Sequence, residues 1–220
     1  MLKKLVILFI FLFLNCNLAL SWPIPDTGQT KCYDYDLEEK PYSKEIPCPK
    51  PGKDFYGQDG NYVINPPSYT KLDEKGDPLP DDASSWLMLK DNVTGLIWEN
   101  KTDDNSIHDK HKKYSWQSAQ DIFIRRLNKD AFGGKTDWRL PTIEELASST
   151  NLNTYSPAID NNWFSNSMPD MYWSSTSNAY FKSYALGINF EDGYDFNHDK
   201  NSSYYVRAVR GGQPRSFDYE

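Results

Sequence analysis

The stretch that most constrains the fold runs from residue 133 to residue 146 and has the sequence Gly-Gly-Lys-Thr-Asp-Trp-Arg-Leu-Pro-Thr-Ile-Glu-Glu-Leu. It opens with two glycines, at which the backbone can take a positive φ at little cost. The next four residues, 137–140, predict a short strand. Because side chains alternate along a strand, Trp138 and Leu140 share one face and their two charged neighbours share the other.

Pro141 follows directly and predicts the end of this strand, because proline cannot donate a ladder hydrogen bond. Thr142 and Glu145 have the spacing of a capping box. In that motif the hydroxyl of the cap residue accepts the backbone N–H of the third helical residue. The carboxylate of that third residue accepts the backbone N–H of the cap residue in return. A helix is therefore predicted over residues 143–149. The whole stretch predicts a turn, a strand, a sharp corner and a helix.

Four segments of the chain resemble, in the same order, the Lcl carboxy-terminal domain family, which is named after a bacterial collagen-like adhesin. They are residues 91–98 (Asp-Asn-Val-Thr-Gly-Leu-Ile-Trp), 137–146, 172–176 (Tyr-Trp-Ser-Ser-Thr) and 204–212 (Tyr-Tyr-Val-Arg-Ala-Val-Arg-Gly-Gly). Residues 27–34 are similar to the lead-in of many members, so the resemblance extends over residues 27–212. It predicts the family and the fold more strongly than an activity, because fold does not imply function.

The resemblance implies an α+β fold related to the C-type-lectin-like and formylglycine-generating-enzyme folds. Two helices would pack on a small antiparallel sheet, with irregular loops. The structural signature of the resemblance consists of Asp137, Trp138, Arg139, Trp173 and Arg207. For its charged members, together with Arg210, we expect a buried ion network, because removing one partner of such a network leaves the other charge buried and unpaired. A binding site formed by these charges is the alternative.

Residues 1–21 have the pattern of a secretory signal peptide, with two lysines, an apolar run and small residues before the predicted cut. The apolar run, residues 5–14, is shorter than the ~20 residues that span a bilayer. Cys16 gives the alternative of a lipoprotein, although Asn15 stands where a small residue is expected. We therefore expect an exported protein, located in the periplasm, at the outer membrane as a lipoprotein, or outside the cell. Membrane contact is expected only if Cys16 is lipidated.

Cys32 and Cys48 are the two cysteines beyond this leader. In an oxidising compartment they are expected to form a disulfide. Prolines are dense before residue 86, which predicts a disulfide-stapled N-terminal arm of loops and short hairpins over residues 22–85. The domain that carries the resemblance would occupy residues 86–212, and a tail would occupy residues 213–220.

Charge narrows the choice of partner. The formal net charge is −7, and removal of the leader lysines makes it more negative. An acidic surface repels nucleic acid and anionic membranes, so neither is an expected partner. The same charge argues against sulfated polysaccharides. A neutral glycan or a protein is the partner that this charge favours.

Within the domain, residues 86–98 predict a β-hairpin and residues 99–114, which include His108 and His111, an exposed loop. Ser115 is expected to cap a helix over residues 116–128. Its inward stripe would consist of Trp116, Ala119, Ile122, Phe123 and Leu127. The closing strands are predicted over residues 172–175, 184–190 and 204–210.

Residues 151–171 are rich in Asn, Ser, Asp and Pro and carry scattered aromatics. Loops of this length are usually functional or disordered. We predict a binding surface formed by this loop and the hairpin over residues 191–203, because aromatic faces stack on sugars and Asn or Asp side chains bond hydroxyls. The candidate ligand-binding residues are Tyr155, Trp163, Phe164, Asn189 and Asp192.

Four oxygen-bearing side chains stand two residues apart near the end of the domain: Asp195, Asn197, Asp199 and Asn201. Their spacing is similar to the start of a calcium loop. Lys200 occupies the position of the needed glycine, and Val206 that of the bidentate glutamate. A polar hairpin is the favoured interpretation and a calcium site the alternative. No other cofactor is expected.

Catalysis has little support in the sequence, because no Ser-His-Asp context, phosphate-binding glycine loop or His-x-x-x-His motif occurs. The enzymes to which the fold is related work through reactive cysteines in the core, whereas both mature cysteines here lie in the arm. We expect a non-enzyme: an exported bacterial recognition or adhesion module that binds a glycan or a cell-surface protein, with a homo-oligomer left open. An enzyme of degenerate formylglycine-generating-enzyme-like architecture and an envelope structural protein are the alternatives.

Overall fold

The computed structural model of the chain describes residues 23–34 and 44–212. The predicted signal peptide, Cys16 and the predicted tail lie outside the described residues. The part that is described forms short antiparallel strands, one long helix and one short helix, so the predicted α+β class is confirmed.

The strands of the described segments form four antiparallel sheets. They are β1 (Cys32–Tyr33), β2 (Glu45–Ile46), β3 (Tyr69–Leu72), β4 (Met88–Asp91), β5 (Leu96–Glu99), β6 (Tyr114–Ser115), β7 (Met171–Ser177), β8 (Tyr184–Asn189), β9 (Asp195–Asp199), β10 (Ser203–Tyr204) and β11 (Val209–Gly211). The central sheet has the order β11-β5-β4-β3, and a second sheet has the order β7-β8-β9. The pairs β1–β2 and β6–β10 form the two small sheets.

The hairpin of β4 and β5 is the predicted hairpin of residues 86–98. Asp91 closes it, because its carboxylate accepts the backbone N–H of Val93 at 2.8 Å and the hydroxyl of Thr94 at 2.7 Å. Gly95 has a φ of +74°, a conformation that glycine adopts at little cost. The turn therefore fixes the register in which Leu89 pairs with Trp98.

The first helix, α1, consists of three consecutive segments: α-helical Trp116–Ser118, π-helical Ala119–Ile124 and α-helical Arg125–Lys129. Ser115 caps it as predicted, because its side chain accepts from the backbone of Ser118. Ile122, predicted to face the core, is 56% exposed, whereas Ile124 packs against the core. The π segment explains this error, since its wider turn shifts which residues face inward.

Helix α2 (Ile143–Ala147) follows the corner after Pro141 and has the predicted capping box. Because α2 has only 5 residues, the expectation of two helices is met in part. Ahead of the corner, Trp138 is buried, and its indole N–H donates to the carbonyl of Phe132 at 2.8 Å. The side chain of Asn128 pairs with the backbone N–H and C=O of Trp138, both at 2.8 Å, which ties this stretch to the end of α1.

The core consists of two clusters on the two faces of the central sheet. The first receives α1 and contains Met88, Phe123, Leu127, Trp138, Trp173 and Val206. The second receives α2 and contains Leu89, Trp98, Leu146, Phe164, Tyr172 and Val209. Neighbouring residues such as Met88 and Leu89 fall in different clusters, because successive strand side chains point to opposite faces. Both faces of the sheet are thus covered.

The last predicted strand, over residues 204–210, is divided between β10 and β11. All four residues between them, 205–208, are buried, so this run has no solvent-facing side. The structure also contains the predicted Cys32–Cys48 disulfide, which links β1 to the segment after β2. Strand β3 lies inside the predicted arm but pairs with β4, so that part of the arm is the edge of the central sheet.

Candidate functional site

The turn between β8 and β9 carries the most exposed part of the predicted binding surface. Tyr194 at its end is 72% exposed, and the side chains of Glu191 and Asp192 also face solvent. Asn189 fixes the turn: its backbone N–H donates to Tyr194 at 2.8 Å, and its side-chain oxygen accepts from Glu191 at 3.0 Å. The Asp192 carboxylate also accepts the backbone N–H of Tyr194 at 3.2 Å. These bonds close the turn and leave the Glu191 and Tyr194 side chains and the second Asp192 oxygen facing solvent.

Loop 151–158 lies directly against this turn. Its Ser156 N–H donates to the carbonyl of Glu191 at 2.7 Å, and its Ala158 N–H donates to the carbonyl of Phe190 at 2.6 Å. Tyr155, next to these anchor points, is 80% exposed. We call Tyr155, Asn189, Glu191, Asp192 and Tyr194 the turn surface.

The N-terminal arm also contacts this loop. The backbone N–H of Leu152 donates to Thr27 at 2.8 Å, and Thr30 donates to the side chain of Asn153 at 3.4 Å. Gly28 lies so close to Asn151 that a Cβ at residue 28 would be 2.6 Å from the Asn151 amide oxygen. Hydrogen bonds thus join the arm, the loop and the turn into one base that carries the exposed tyrosines.

The turn surface combines two kinds of chemistry. A tyrosine ring offers a flat apolar face with a polar tip. The carboxylates of Glu191 and Asp192 offer oxygens that accept from hydroxyl or amide donors. A ligand with an apolar face and several hydroxyl donors matches this combination.

Not all predicted ligand-binding residues reach this surface. Tyr155, Asn189 and Asp192 do, but Phe164 is 1% exposed and packs edge-on against Tyr69, with ring centroids 5.2 Å apart. Trp163 is half-buried beside the same tyrosine. Both lie in or against the second core cluster, because burying a large aromatic side chain removes much apolar area from water. We therefore leave Trp163 and Phe164 out of the turn surface.

The residues of the calcium hypothesis lie on β9 and the turn after it. Side chains two apart on a strand share a face but are about 7 Å apart, so Asp195, Asn197 and Asp199 follow the strand instead of surrounding one point. The Asp199 carboxylate also accepts from the backbone and the side chain of Asn201, at 2.8 and 2.9 Å. Within residues 23–34 and 44–212, no three His, Cys, Asp or Glu side chains are grouped so that they could hold a metal ion. Calcium binding by these residues stays a prediction.

The charged signature residues do not form one network: Asp137 and Arg139 each take part in a separate ion pair. Arg207 alone is buried, away from both pairs. Arg210 donates to Asp137 at 2.8 Å, and this hydrogen bond holds the pKa of the Asp137 carboxyl below its ordinary value. Arg139 binds both carboxylate oxygens of Glu145, at 2.6 and 2.7 Å. The strand predicted over residues 137–140 is reduced to a single bridge between Arg139 and Val209. Since Glu145 also closes the capping box, the pair of Arg139 and Glu145 connects this segment to α2.

A buried charge cluster around Glu99 is absent from the sequence prediction. One oxygen of its buried carboxylate is hydrogen-bonded to Lys101 Nζ at 3.1 Å and to His108 Nδ1 at 2.8 Å. The other oxygen accepts from the backbone N–H of Ala208 at 3.0 Å. Arg207, also buried, donates to the Glu99 carbonyl at 2.8 Å. The prediction of an exposed loop is thus wrong for the start of residues 99–114.

Burial and charge act in opposite directions on the titration of this cluster. Burial alone would raise the pKa of the Glu99 carboxyl, but Lys101, His108 and the Ala208 N–H together hold that pKa below its ordinary value. Burial also lowers the pKa of Lys101, which Glu99 partly restores. The one sequence signal for the cluster is the charged pair Glu99 and Lys101 directly after an apolar strand, since residues two apart can share a face.

These features define a small α+β domain with antiparallel sheets and a disulfide-linked arm. The family model of the Lcl C-terminal domain matches residues 87–210. The chain therefore belongs to the Lcl C-terminal domain family. A search of the curated proteins finds no match to the chain. None of the helices in the described ranges is long and apolar enough to cross a membrane.

Proposed function

We propose that this protein is an exported recognition module that binds a neutral glycan through the turn surface. The observation that carries the proposal is the strong exposure of Tyr155 and Tyr194 on a base fixed by backbone hydrogen bonds. An exposed tyrosine ring leaves apolar surface in contact with water, which is unfavourable. Two such rings on a loop and a turn that are joined by hydrogen bonds therefore favour a binding role. Neighbouring carboxylates would accept from sugar hydroxyls.

The acidic net charge of −7 supports a neutral ligand, because it disfavours sulfated glycans, nucleic acid and anionic lipid. The disulfide supports export, since disulfides persist in oxidising compartments. We extend the confirmed α+β class to a C-type-lectin-like fold. Its support is the combination of small antiparallel sheets, one main helix and long irregular loops.

We further propose that the protein is not an enzyme. The two carboxylates at which an active site would be sought are open to solvent: Asp137 pairs with Arg210 at the surface, and Glu144 is exposed on α2. The cysteines of the arm are joined in the disulfide, which leaves them unavailable as nucleophiles. These arrangements favour binding over turnover.

A glycan array tests the proposal, with the full chain applied in the presence of calcium and, separately, of a calcium chelator. The test variant is Tyr155→Ala/Tyr194→Ala. The matched control is Tyr180→Ala, because Tyr180 is 84% exposed but lies on the loop before β8, at the opposite end of that strand from the turn. If each ring contributes about 1 kcal/mol of stacking, the double variant should bind about 30-fold more weakly.

The outcomes separate the hypotheses. If the double variant loses glycan binding and the Tyr180→Ala control retains it, the turn surface is supported as the glycan-binding site. Binding that disappears with the chelator would support calcium at the β9 residues. An array without hits in either condition, together with a protein captured specifically by the turn surface, would reject glycan recognition in favour of a protein partner.

A further inference from the structure

The turn after β9 carries an unassigned feature, the sequence Asp199-Lys200-Asn201-Ser202-Ser203. Asn201 and Ser203 form an Asn-x-Ser triplet, the acceptor pattern of N-glycosylation. Asp199 stands two residues before the asparagine, a position where one class of bacterial oligosaccharyltransferase requires a carboxylate. The chain contains two further Asn-x-Ser/Thr triplets, at Asn92 and Asn100.

The structure separates the three asparagines. Asn100 is 6% exposed, and its amide nitrogen donates to the Trp86 carbonyl at 3.0 Å and to Ser165 at 2.8 Å. A glycan on that nitrogen would have to displace core contacts. Asn100 is therefore unsuitable as an acceptor.

Asn92 is exposed, but its amide nitrogen donates to the hydroxyls of Ser68 and Thr70, both at 3.1 Å. These bonds connect the β4–β5 turn to the segment that leads into β3. The residue two before Asn92 is Lys90, which has the wrong charge for an acid-requiring transferase. Asn92 thus lacks the recognition element that Asn201 has.

Asn201 lies exposed in a tight turn between β9 and β10. The turn is closed by Asp199, whose carbonyl accepts from Ser202 at 2.9 Å. The amide nitrogen of Asn201 donates to the Asp199 carboxylate at 2.9 Å, so the acid and the acceptor nitrogen lie side by side in the same turn, and this one bond is all that has to open. Ser203, which carries the hydroxyl of the triplet, is also exposed.

We propose that Asn201 is an acceptor site for N-linked glycosylation by a bacterial oligosaccharyltransferase that recognises the acid at Asp199. The donor is an oligosaccharide linked to a polyprenyl pyrophosphate. The Asn201 amide nitrogen forms a bond to C1 of the first sugar, and the C1–O bond to the pyrophosphate breaks. The lipid pyrophosphate leaves with that electron pair, and the amide nitrogen gives one proton to a base of the transferase. The proposal rests on export, since the exported face is where such donors are used.

The test uses the full chain in a bacterial host that carries such a transferase and a lipid-linked oligosaccharide. A leader from a well-secreted protein directs export, and a reference sequence Asp-Gln-Asn-Ala-Thr is appended at the C-terminus. Intact-mass and peptide mass spectrometry then locate the glycan. We expect one glycan on the peptide with Asn201 in the wild type and in Asp199→Glu, which keeps the acid.

The glycan should be absent from Asn201 in Asn201→Gln, Asp199→Asn and Ser203→Ala, and retained in Asn92→Gln. Each variant is checked for folding by resistance to limited proteolysis, and the appended sequence reports that the transferase has acted on the chain. A glycosylated reference sequence with an unmodified Asn201 overturns the proposal, as does unchanged modification in Asp199→Asn. Because the added leader bypasses the native one, the result does not depend on the glycan array or on the predicted signal peptide.

Discussion

Replacing Glu99 by alanine should destabilise the fold strongly, although Glu99 lies far from the turn surface in sequence. The buried carboxylate accepts from Lys101, His108 and the backbone of Ala208. Its removal leaves the buried Lys101 ammonium without its carboxylate. Breaking a buried ion pair in this way costs about 3–5 kcal/mol.

A second substitution separates the ion pair from general packing. Lys101→Met removes the charge that Glu99 compensates and keeps a flexible apolar side chain over the ring of Phe123, which the lysine nitrogen approaches to 4.5 Å. Replacing both members of a buried pair by apolar groups is often close to neutral. Glu99→Ala/Lys101→Met should therefore be more stable than Glu99→Ala, with a coupling energy of about 1 kcal/mol or more.

Urea unfolding, followed by tryptophan fluorescence with the disulfide oxidised, measures these differences. With a slope of about 2 kcal/mol per M, the Glu99→Ala midpoint should fall by about 1.5–2.5 M. The exposed turn residue Glu74 provides the control, since Glu74→Ala should change stability by no more than about 0.5 kcal/mol. A Glu99→Ala midpoint equal to that of the control, or additive effects in the double variant, would show that Glu99 and Lys101 do not form a stabilising buried pair.

The pH dependence gives a second check of the same cluster. Because the folded-state pKa of Glu99 is held below its ordinary value, its contribution is complete above the unfolded value of about 4.3 and is lost as pH falls through the folded value. The stability difference between wild type and Glu99→Ala should therefore shrink in acid. A difference that stays constant from neutral pH into acid would contradict the assignment.

Three further predictions concern other parts of the fold. Cys48→Ser should remove about 3 kcal/mol by the loop-entropy model, with proteolysis beginning in the arm; an arm as resistant as in the wild type would contradict it. Gly187→Ala should cost about 1–3 kcal/mol by overpacking in urea unfolding, because its Cβ would lie 2.2 Å from the Tyr172 carbonyl and 2.4 Å from the Phe196 ring, whereas Gly134→Ala meets no neighbour within 4 Å and should show only the smaller cost of a positive φ. Burial raises the pKa of both Tyr172 and Tyr114 to about 12, so the stability that these rings contribute should be complete below about pH 10 and be lost as pH rises through 12; an absorbance titration in which all tyrosines ionise together near pH 10 would oppose this.

The sequence predicts best where the causes are local. Gly133 and Gly134 take the positive φ expected of them, at +61° and +67°. Trp138 is buried, and Thr142 forms its capping box with Glu145. Each of these features depends on residues within a few positions, so propensity, alternation and cap spacing are sufficient to identify it.

Features that depend on distant partners could not be found in this way. Glu99 is bonded to Ala208 across 109 positions and to Arg207 across 108. Phe164 is buried because Tyr69 and Trp98 lie beside it in the fold. Burial of single residues within a polar segment therefore depends on contacts that are distant in sequence and cannot be predicted from the segment itself.

The candidate site shows the same division. The sequence identified Tyr155, Asn189 and Asp192, because an aromatic in a polar loop and a turn-forming pair are local signals. Tyr194 lies within the predicted hairpin of residues 191–203 but is not among the predicted residues, since its place beside loop 151–158 follows from the bond between Ser156 and Glu191. The arm's support of the loop through Thr27 was missed for the same reason.

The most direct test of recognition through the turn surface is calorimetric titration of the strongest glycan from the array into three proteins. We expect Tyr155→Ala/Tyr194→Ala to bind about 30-fold more weakly than the wild type and Tyr180→Ala to bind equally well. The urea midpoints of all three proteins should be equal, because the three tyrosines are largely exposed. Equal affinity in the wild type and the double variant would contradict recognition through the turn surface, and so would an equal loss of affinity in the Tyr180 control.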